Sequence, residues 1–394
     1  MRIFTCTPVA FGGGPDFFAR DSGLLCRGLQ AIGVDSRAVM PGERRTQDEE
    51  DLIRTDYRNL ESPEWWRSHQ LDGVVLYAWG RPKFRKVAAA IRKAGVFLVL
   101  NQDSGGLVSP LAGFPGWLRE QWILGGKGRD VSSWLRTLKL VFRGMSVGLL
   151  VSDPLRAAHL RQGAVIACVS PVAAAHYRRL CRVYGGNQLA GRVRVVPHPV
   201  ETRFESGEME RSNRIVCVGR WQDVVQKRPR LLMDTIGRVL RDDPTVEVAI
   251  AGRPNDAMTH WHGRLQDNER ARVTLSGVMG RAELAGLLAG ARVFYSPSAY
   301  ESFGIAAAEA LCSGCSVVAA RSVSMSAFEW FVSENSGRLV ERDNADGHCA
   351  ALLAELRSWQ NGERHPAAIS RVWCGRLHAD KVAEQLRGML DAEG

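Results

Sequence analysis

The sequence predicts an α/β chain built from two Rossmann-like halves. Three observations predict it. The 394 residues exceed what one hydrophobic core usually serves. Short apolar runs alternate with helical patterns, as in parallel doubly wound sheets. The alternation then restarts at "RIVCVGR", residues 214–220, after the polar stretch "ETRFESGEMERSN". The expected division is residues 1–198 and 199–374, with a C-terminal helix over 375–394 as a candidate to complete the first half.

Taken in order, "RIFTCTPVA" (2–10) reads as a buried strand and "FGGGP" as a glycine turn. "DFFARDSGLLCRGLQAIG" carries helical spacing at Phe17, Leu24, Leu25, Leu29 and Ile32, and stops at Gly33. "GVVLYAW", "VFLVLN" and "AVIACVS" are further strands, with the helix "FRKVAAAIRKAG" between the first two. In the second half "RIVCVGR" is followed by the helix "RLLMDTIGRVLRDD", then by the strands "TVEVAIAG", "ARVTLSG" and "ARVFYSPS". Two such sheets are expected to face a central cleft at the carboxyl ends of their strands, where open α/β sheets bind ligands.

Composition narrows the partners. Hydrophobic content of 45% and charged content of 24% are globular values. A net charge of +10 favours an anionic partner: nucleic acid, a phosphorylated small molecule or an anionic lipid surface. Basic nucleic-acid binding is the alternative of another class. It is not expected, because no helix-turn-helix, zinc finger or RNP-type aromatic motif accompanies the charge. Nine scattered cysteines, an odd number, read as reduced thiols in a cytoplasmic protein. "CSGC" at 312–315 lacks a second pair, so no zinc or redox role is expected. The opening "MRIFTCTPVAFGGG" reads as strand and turn rather than signal peptide, and no apolar run approaches a spanning helix. "LRDDPTV" (240–246) pairs two aspartates at a helix end and turn, and no carboxylate pair is placed to hold a metal.

The stretch "YSPSAYESFGIAAAEALCSGCSVVAA" (295–320) sets Glu301 in a polar loop and Glu309 inside an Ala-rich helix, where burying a charge is costly. "ARVFYSPS" is the strand, "AYESF" the loop and "GIAAAEALCSG" a helix stopped by Gly314. The N–H groups of Phe303, Gly304 and Ile305 at the helix start form an anion site. Gly304 lets a ligand approach the backbone. "CVGRWQDVVQKRP" places Arg220 at a strand end and Lys227 before the next helix. If these two strands are neighbours, two cations face the helix start, which makes a diphosphate site without metal. The plainer readings are an ion-paired helix carboxylate for Glu309 and a helix-start charge favoured by the dipole for Glu301.

Together these residues resemble the retaining glycosyltransferases of family 4, which have the GT-B fold. The family pattern of an acidic residue, then FG, then a second Glu stands here as Glu301, Phe303, Gly304 and Glu309, followed by "CSGCSVVA". The preceding G-R…K element stands as Gly219, Arg220 and Lys227. "VSPVAAAHY" and "VRVVPHPV" resemble the elements leading into the linker, so the resemblance spans residues 165–345. It implies transfer of a sugar, with retained anomeric configuration, from a nucleotide diphosphate sugar to a hydroxyl acceptor. A UDP-sugar is favoured, GDP-mannose is the other option, and glycan, polysaccharide or glycolipid synthesis is the setting. The resemblance gives Glu309 the ribose and Arg220 and Lys227 the diphosphate. Glu301 and the backbone of 303–305 take the donor sugar and its phosphate. Gly12, Gly13 and Gly14 would close over the diphosphate, and segments 251–256 and 276–284, with Arg253 and Met279, would flank the base. No cofactor is implied. The chain departs from the family at His198 and Pro199, where Asn-Gly is usual, and at Asn101, Gln102 and Asp103, where many members carry a His. Asp103 is a candidate for touching the donor sugar or the acceptor, beside a plain loop-turn role. An epimerase of the same fold is the nearer rival. A phosphorylase would need a cofactor lysine or a separate phosphate pocket, and neither is recognisable.

One segment remains. "VSSWLRTLKLVFR" (131–143) puts Val131, Trp134, Leu135, Leu138, Val141 and Phe142 on one helical face. Arg136, Lys139 and Arg143 lie around it, after Trp117, Trp122, Lys127 and Arg129. The first expectation is a helix packing this stripe on the core. The second is an interfacial helix over 117–143 touching an anionic membrane or a lipid-linked acceptor. Trp65 and Trp66 are expected to pack, with lining of an acceptor surface as the other reading.

Overall fold

The computed structural model describes residues 1–126, 130–207, 210–332 and 335–392. The chain divides into two compact units, Met1–Glu201 with Leu377–Gly394, and Thr202–Arg376. Each is a parallel α/β sheet flanked by helices, the GT-B architecture expected from the sequence.

In the first unit the strands are β1 (Ile3–Cys6), β2 (Ala38–Pro41), β3 (Leu52–Thr55), β4 (Gly73–Tyr77), β5 (Phe97–Gln102), β6 (Val165–Cys168) and β7 (Val193–Val195). They lie in the order β3-β2-β1-β4-β5-β6-β7, and every pairing is parallel. Such strands are apolar on both faces because helices cover both. Alternate residues of one strand divide between two cores. Phe4, Val74, Leu76 and Leu98 pack with Trp66 and Ile91, whereas Ile3, Val75 and Val99 pack with Leu25, Leu29 and Leu386. Leu386 belongs to the helix Ala379–Asp391, which returns from the chain's far end to cover this face. It meets the Asp21–Ala31 helix so closely that a Cβ at Gly28 would lie 2.3 Å from the Ala379 carbonyl oxygen. Trp66 is fully buried, its Nε1 donating to Leu60 O at 2.9 Å, with Trp65 edge-on against it.

Two expectations change. The first predicted helix is two, Pro15–Phe18 and Asp21–Ala31, because Asp21 adopts φ 50° and breaks the run. The Val131–Arg143 helix is inverted relative to the core-packing expectation. Ser133 and Thr137 are buried, while Val131, Trp134, Leu135, Leu138 and Phe142 are exposed and Val141 is half-buried. The cause is its neighbour, the helix Phe114–Gly125. A Cβ at Gly125 would fall 1.9 Å from Thr137 Oγ1, so the helices meet through their smallest side chains. Thr137 Oγ1 donates to Ser133 O at 3.0 Å, which satisfies it within its own helix. The chain continues as a π-helix, Gly144–Ser152, with Met145, Val147, Leu150 and Val151 also exposed. Lys127 and Arg129 lie outside the described residues. No helix among the described residues is long and apolar enough to cross a membrane.

The second unit holds β8 (Arg214–Val218), β9 (Glu247–Ala251), β10 (Val273–Gly277), β11 (Val293–Ser296), β12 (Ser316–Ala320) and β13 (Gly337–Val340). The order is β10-β9-β8-β11-β12-β13, all parallel. β8 and β11 are neighbours, Ile215 opposite Val293 and Val216 opposite Phe294. That adjacency is what the two-cation reading of the sequence required.

Candidate functional site

Parallel strands send their following loops to one edge of a sheet, and in the second unit that edge collects the predicted residues. The loops after β8 and β11 are stitched together. Gln226 Nε2 donates to Tyr300 O at 3.0 Å, and Ala299 N donates to Gln226 O at 2.8 Å. Lys227 Nζ forms an ion pair with Glu301, whose Oε1 also accepts from Ser298 Oγ at 3.0 Å. Arg220, at the end of β8, is exposed and makes no ion pair with a described residue.

The loop bearing Lys227 is anchored from below. Arg228 adopts φ 51°, and its Nη1 donates to Asp343 Oδ1 at 2.6 Å. The same oxygen lies 3.1 Å from His348 Nε2, and His348 Nδ1 lies 3.0 Å from Tyr295 OH. Tyr295 and His348 are fully buried, so this chain of polar groups ties the loop to the core.

The helix after β11 runs Ile305–Cys312. Gly304 precedes it with φ 86°, and a Cβ there would lie 2.8 Å from the Phe328 ring, so both backbone and packing demand glycine. Ala307 N and Ala308 N donate to Gly304 O, which leaves Ile305 and Ala306 N–H without an acceptor inside the helix. The Phe303 side chain is buried edge-on against Phe331 at 5.2 Å. The side chain of Phe303 thus belongs to the core, and the half-buried Ile305 opens the helix that follows.

Glu309 is 2% exposed, and Arg281 Nη2 donates to its Oε1 at 2.6 Å. Arg281 opens the helix Arg281–Ala289 and also stacks over Phe204 at 4.7 Å. The paired-carboxylate reading of Glu309 therefore describes its local physics, because an unpaired buried charge is strongly destabilising. Sequence reasoning did not single out Arg281. Its segment "SGVMGRAEL" was noted, but nothing in it names a partner 28 positions away.

The remaining predicted residues of this unit sit along the same edge. Exposed Arg253 follows β9, its carbonyl accepting from Gln222 Nε2 at 2.9 Å. Gly252 brings that loop against the loop after β8, for a Cβ there would lie 2.0 Å from Gly219 O. Half-buried Met279 follows β10. The edge thus presents exposed cations, a helix start with open N–H groups, and two carboxylates held by cations. Such a set can neutralise phosphate and accept hydrogen bonds from hydroxyls.

The first unit carries the other predicted residues. Asp103 follows β5, and His198 Nε2 lies 3.1 Å from its Oδ1. Asp21 Oδ1 is 3.7 Å from His198 Nδ1, and the Tyr77 ring centroid is 6.2 Å from the imidazole. Burial lowers the imidazole's proton affinity, but the Asp103 and Asp21 carboxylates outweigh it and raise the His198 pKa above its ordinary value. The two places where the sequence departs from the family pattern therefore meet in space, which the sequence did not reveal. Asp103 remains 26% exposed while His198 is buried, so the imidazole orients a carboxylate that faces outward. Gly12 stands in open space. Gly13 does not, because a Cβ there would lie 2.3 Å from Asp48 Oδ1 and 2.2 Å from Leu52, and Gly14 backs onto Gln47 O.

Residues 212–358 match the family model described as "Glycosyl transferases group 1". Among curated proteins, the chain is 33% identical over 162 residues to the MMP alpha-(1->4)-mannosyltransferase of Mycolicibacterium hassiacum, which covers 40% of this chain and 35% of that protein. It is 32% identical over 149 residues to the phosphatidyl-myo-inositol mannosyltransferase of Mycolicibacterium smegmatis, over 37% of this chain and 36% of the other. The chain thus spans about a third of the length of the curated relatives it matches. Among solved structures, the Anabaena protein HepE in complex with UDP covers the whole of both chains at TM-score 0.62 and 13% identity, a likeness of fold.

Proposed function

We propose that the chain is a retaining, metal-independent glycosyltransferase that moves a sugar from a nucleotide diphosphate sugar to a hydroxyl acceptor. The observation that carries this is the edge formed by the neighbouring strands β8 and β11. There exposed Arg220, the Lys227–Glu301 pair and the open helix start at Ile305 come together. The match over 212–358 and the names of the two relatives support the same reading.

In this reading the second unit binds the donor and the first binds the acceptor. Arg220, Lys227 and the N–H groups of 303–305 hold the diphosphate, Glu309 the ribose and Glu301 the sugar, with Arg253 and Met279 beside the base. Lys227 and Glu301 hold each other in the ligand-free chain. A diphosphate draws Lys227 onto its oxygens and frees Glu301 for sugar hydroxyls. Cleavage of the anomeric C–O bond leaves an oxocarbenium-like centre and a diphosphate anion. Fixed cations and N–H dipoles stabilise that anion as it forms. UDP is the favoured nucleotide, since the neighbour of like fold was solved with UDP. GDP-mannose is the second reading, favoured by the two mannosyltransferase relatives. We also propose peripheral contact with the inner, cytoplasmic face of a membrane through 117–143, on the ground of its exposed apolar helix.

The test is a thermal-shift screen with UDP, GDP, ADP and dTDP, followed by donor turnover in folded Arg220→Ala and Lys227→Ala variants. A base-selective shift is expected, with a fall in rate of roughly a hundredfold per lost phosphate contact. Wild-type turnover in both variants refutes the site.

A further inference from the structure

The first unit contains a cavity of about 360 Å³ that the donor site does not use. Trp117, Glu120, Gln121, Arg143, Gly148 and Ser104, the neighbour of Asp103, are among the residues that line it. Its volume lies in the range of small-ligand sites. Its polar lining is partly committed. Buried Asp153 accepts from Ser109 Oγ and from Arg156 Nη1, the latter at 2.5 Å. Glu120 is not committed, having no hydrogen bond or ion pair with any described residue. Burial pushes its carboxyl up to about 7. Glu120 is half-buried and lines the cavity, and a carboxyl whose proton affinity is raised within a cleft is a candidate for ligand contact. Exposed Arg143 likewise has no ion-pair partner among the described residues.

What surrounds the cavity identifies the ligand class. The Val131–Arg143 helix turns Ser133 and Thr137 inward and its apolar side chains outward, with Val131 and Phe142 each 76% exposed. The π-helix continues this surface, with Leu150 78% exposed. Gly144 lets that segment sit on Trp117, since a Cβ there would lie 2.2 Å from the indole. A contiguous exposed apolar surface marks an interaction site. Exposed Arg136, Lys139 and Arg143 are interspersed on it. Apolar side chains mixed with cations complement anionic head groups over acyl chains.

We infer that this cavity binds the polar head of an anionic, hydroxyl-bearing lipid, with Glu120 and Gln121 on its hydroxyls, Arg143 on its charge and the tail along the exposed apolar helix. This deepens the transferase reading and rests on it in one respect. A lipid so held brings its hydroxyls toward Ser104 and the loop of Asp103, as an acceptor must.

The experiment is calorimetry on the full chain with dihexanoylphosphatidylglycerol below its micellar concentration. Dihexanoylphosphatidylcholine and glycerol 1-phosphate serve as separate arms. Saturable binding of the glycerol lipid is expected, with both other probes at least about tenfold weaker. Glu120→Leu should weaken it about tenfold. Arg143→Gln should do likewise, and because Arg143 is exposed that variant keeps the test valid if the first fails to fold. No saturable binding, equal binding of the choline lipid, or binding that folded variants leave unchanged overturns the inference. A nucleotide thermal shift on the same preparation separates the two readings. A retained shift with no lipid binding sinks the cavity assignment alone. Lipid binding with no nucleotide shift upholds the cavity and sinks the donor site.

Discussion

Replacing Arg281 with methionine keeps most of the side-chain volume and removes the guanidinium that donates to Glu309. The Glu309 side chain is 3% exposed and that of Arg281 is 32% exposed. Removing one partner of a fully buried pair costs about 3–5 kcal/mol, because the other charge is left desolvated. Arg281 is a third exposed, so solvent already screens part of the interaction, and about 2–3 kcal/mol is the fair expectation. For a unit of this size that is a fall in Tm of about 4–12 °C. Urea melts of wild type, Arg281→Met, Glu309→Gln and the double variant close a thermodynamic cycle. The double variant should recover part of the loss, with a coupling energy of about 1–2 kcal/mol. If Arg281→Met melts within about 1 °C of wild type, or the coupling is near zero, then the pair is not what makes a buried Glu309 tolerable.

Glu309→Gln should weaken binding of the bare nucleotide, while Glu301→Gln should mainly slow turnover. Calorimetry with nucleotide alone separates them, and equal loss of affinity contradicts the division of roles. Turnover should survive EDTA if Arg220, Lys227 and the helix start neutralise the diphosphate as proposed; loss of activity that Mg²⁺ or Mn²⁺ rescues overturns this. His159 is fully buried with neither ring nitrogen bonded to a described residue, and burial, then Arg156 and Arg85, lowers its pKa from 6.5 to about 4. A depressed folded pKa contributes stability that is present above the unfolded value of 6.5 and lost as pH falls toward 4. Roughly 3 kcal/mol should vanish across that window, and His159→Leu should flatten this part of the acid limb in urea melts. An unchanged limb in that variant refutes the assignment.

Much of the fold was legible because its determinants are local. The strands around "RIVCVGR", "TVEVAIAG" and "ARVFYSPS" show as apolar runs between turn residues, and parallel sheets covered on both faces require such runs. The edge that bears Arg220, Lys227, Glu301 and Gly304 follows from the same logic, since a loop after a parallel strand has only one end of the sheet to occupy. The glycine at 304 could be read as a requirement, although its second cause, the Phe328 ring, could not.

The remainder depends on contacts between residues far apart in the chain. A stripe of Val131, Trp134, Leu135, Leu138 and Phe142 has the same period whether it meets a core or a lipid. It faces outward here because Gly125 and Gly144 let neighbouring segments pack on Thr137 and Trp117 and so claim the opposite face. Charge is written in the sequence but partnership is not. Arg281 with Glu309, His198 with Asp103 and Arg228 with Asp343 are joined by strand order and helix placement, which bring together groups that chain separation keeps apart. The chemical character of this chain, a basic α/β protein whose second sheet carries Arg220, Lys227 and Gly304 along one edge, is a property of its residues in order. Which carboxylate is held by which cation, and which helix shows its apolar face, is settled only when the whole chain packs, because burial is decided by what else competes for the same surface.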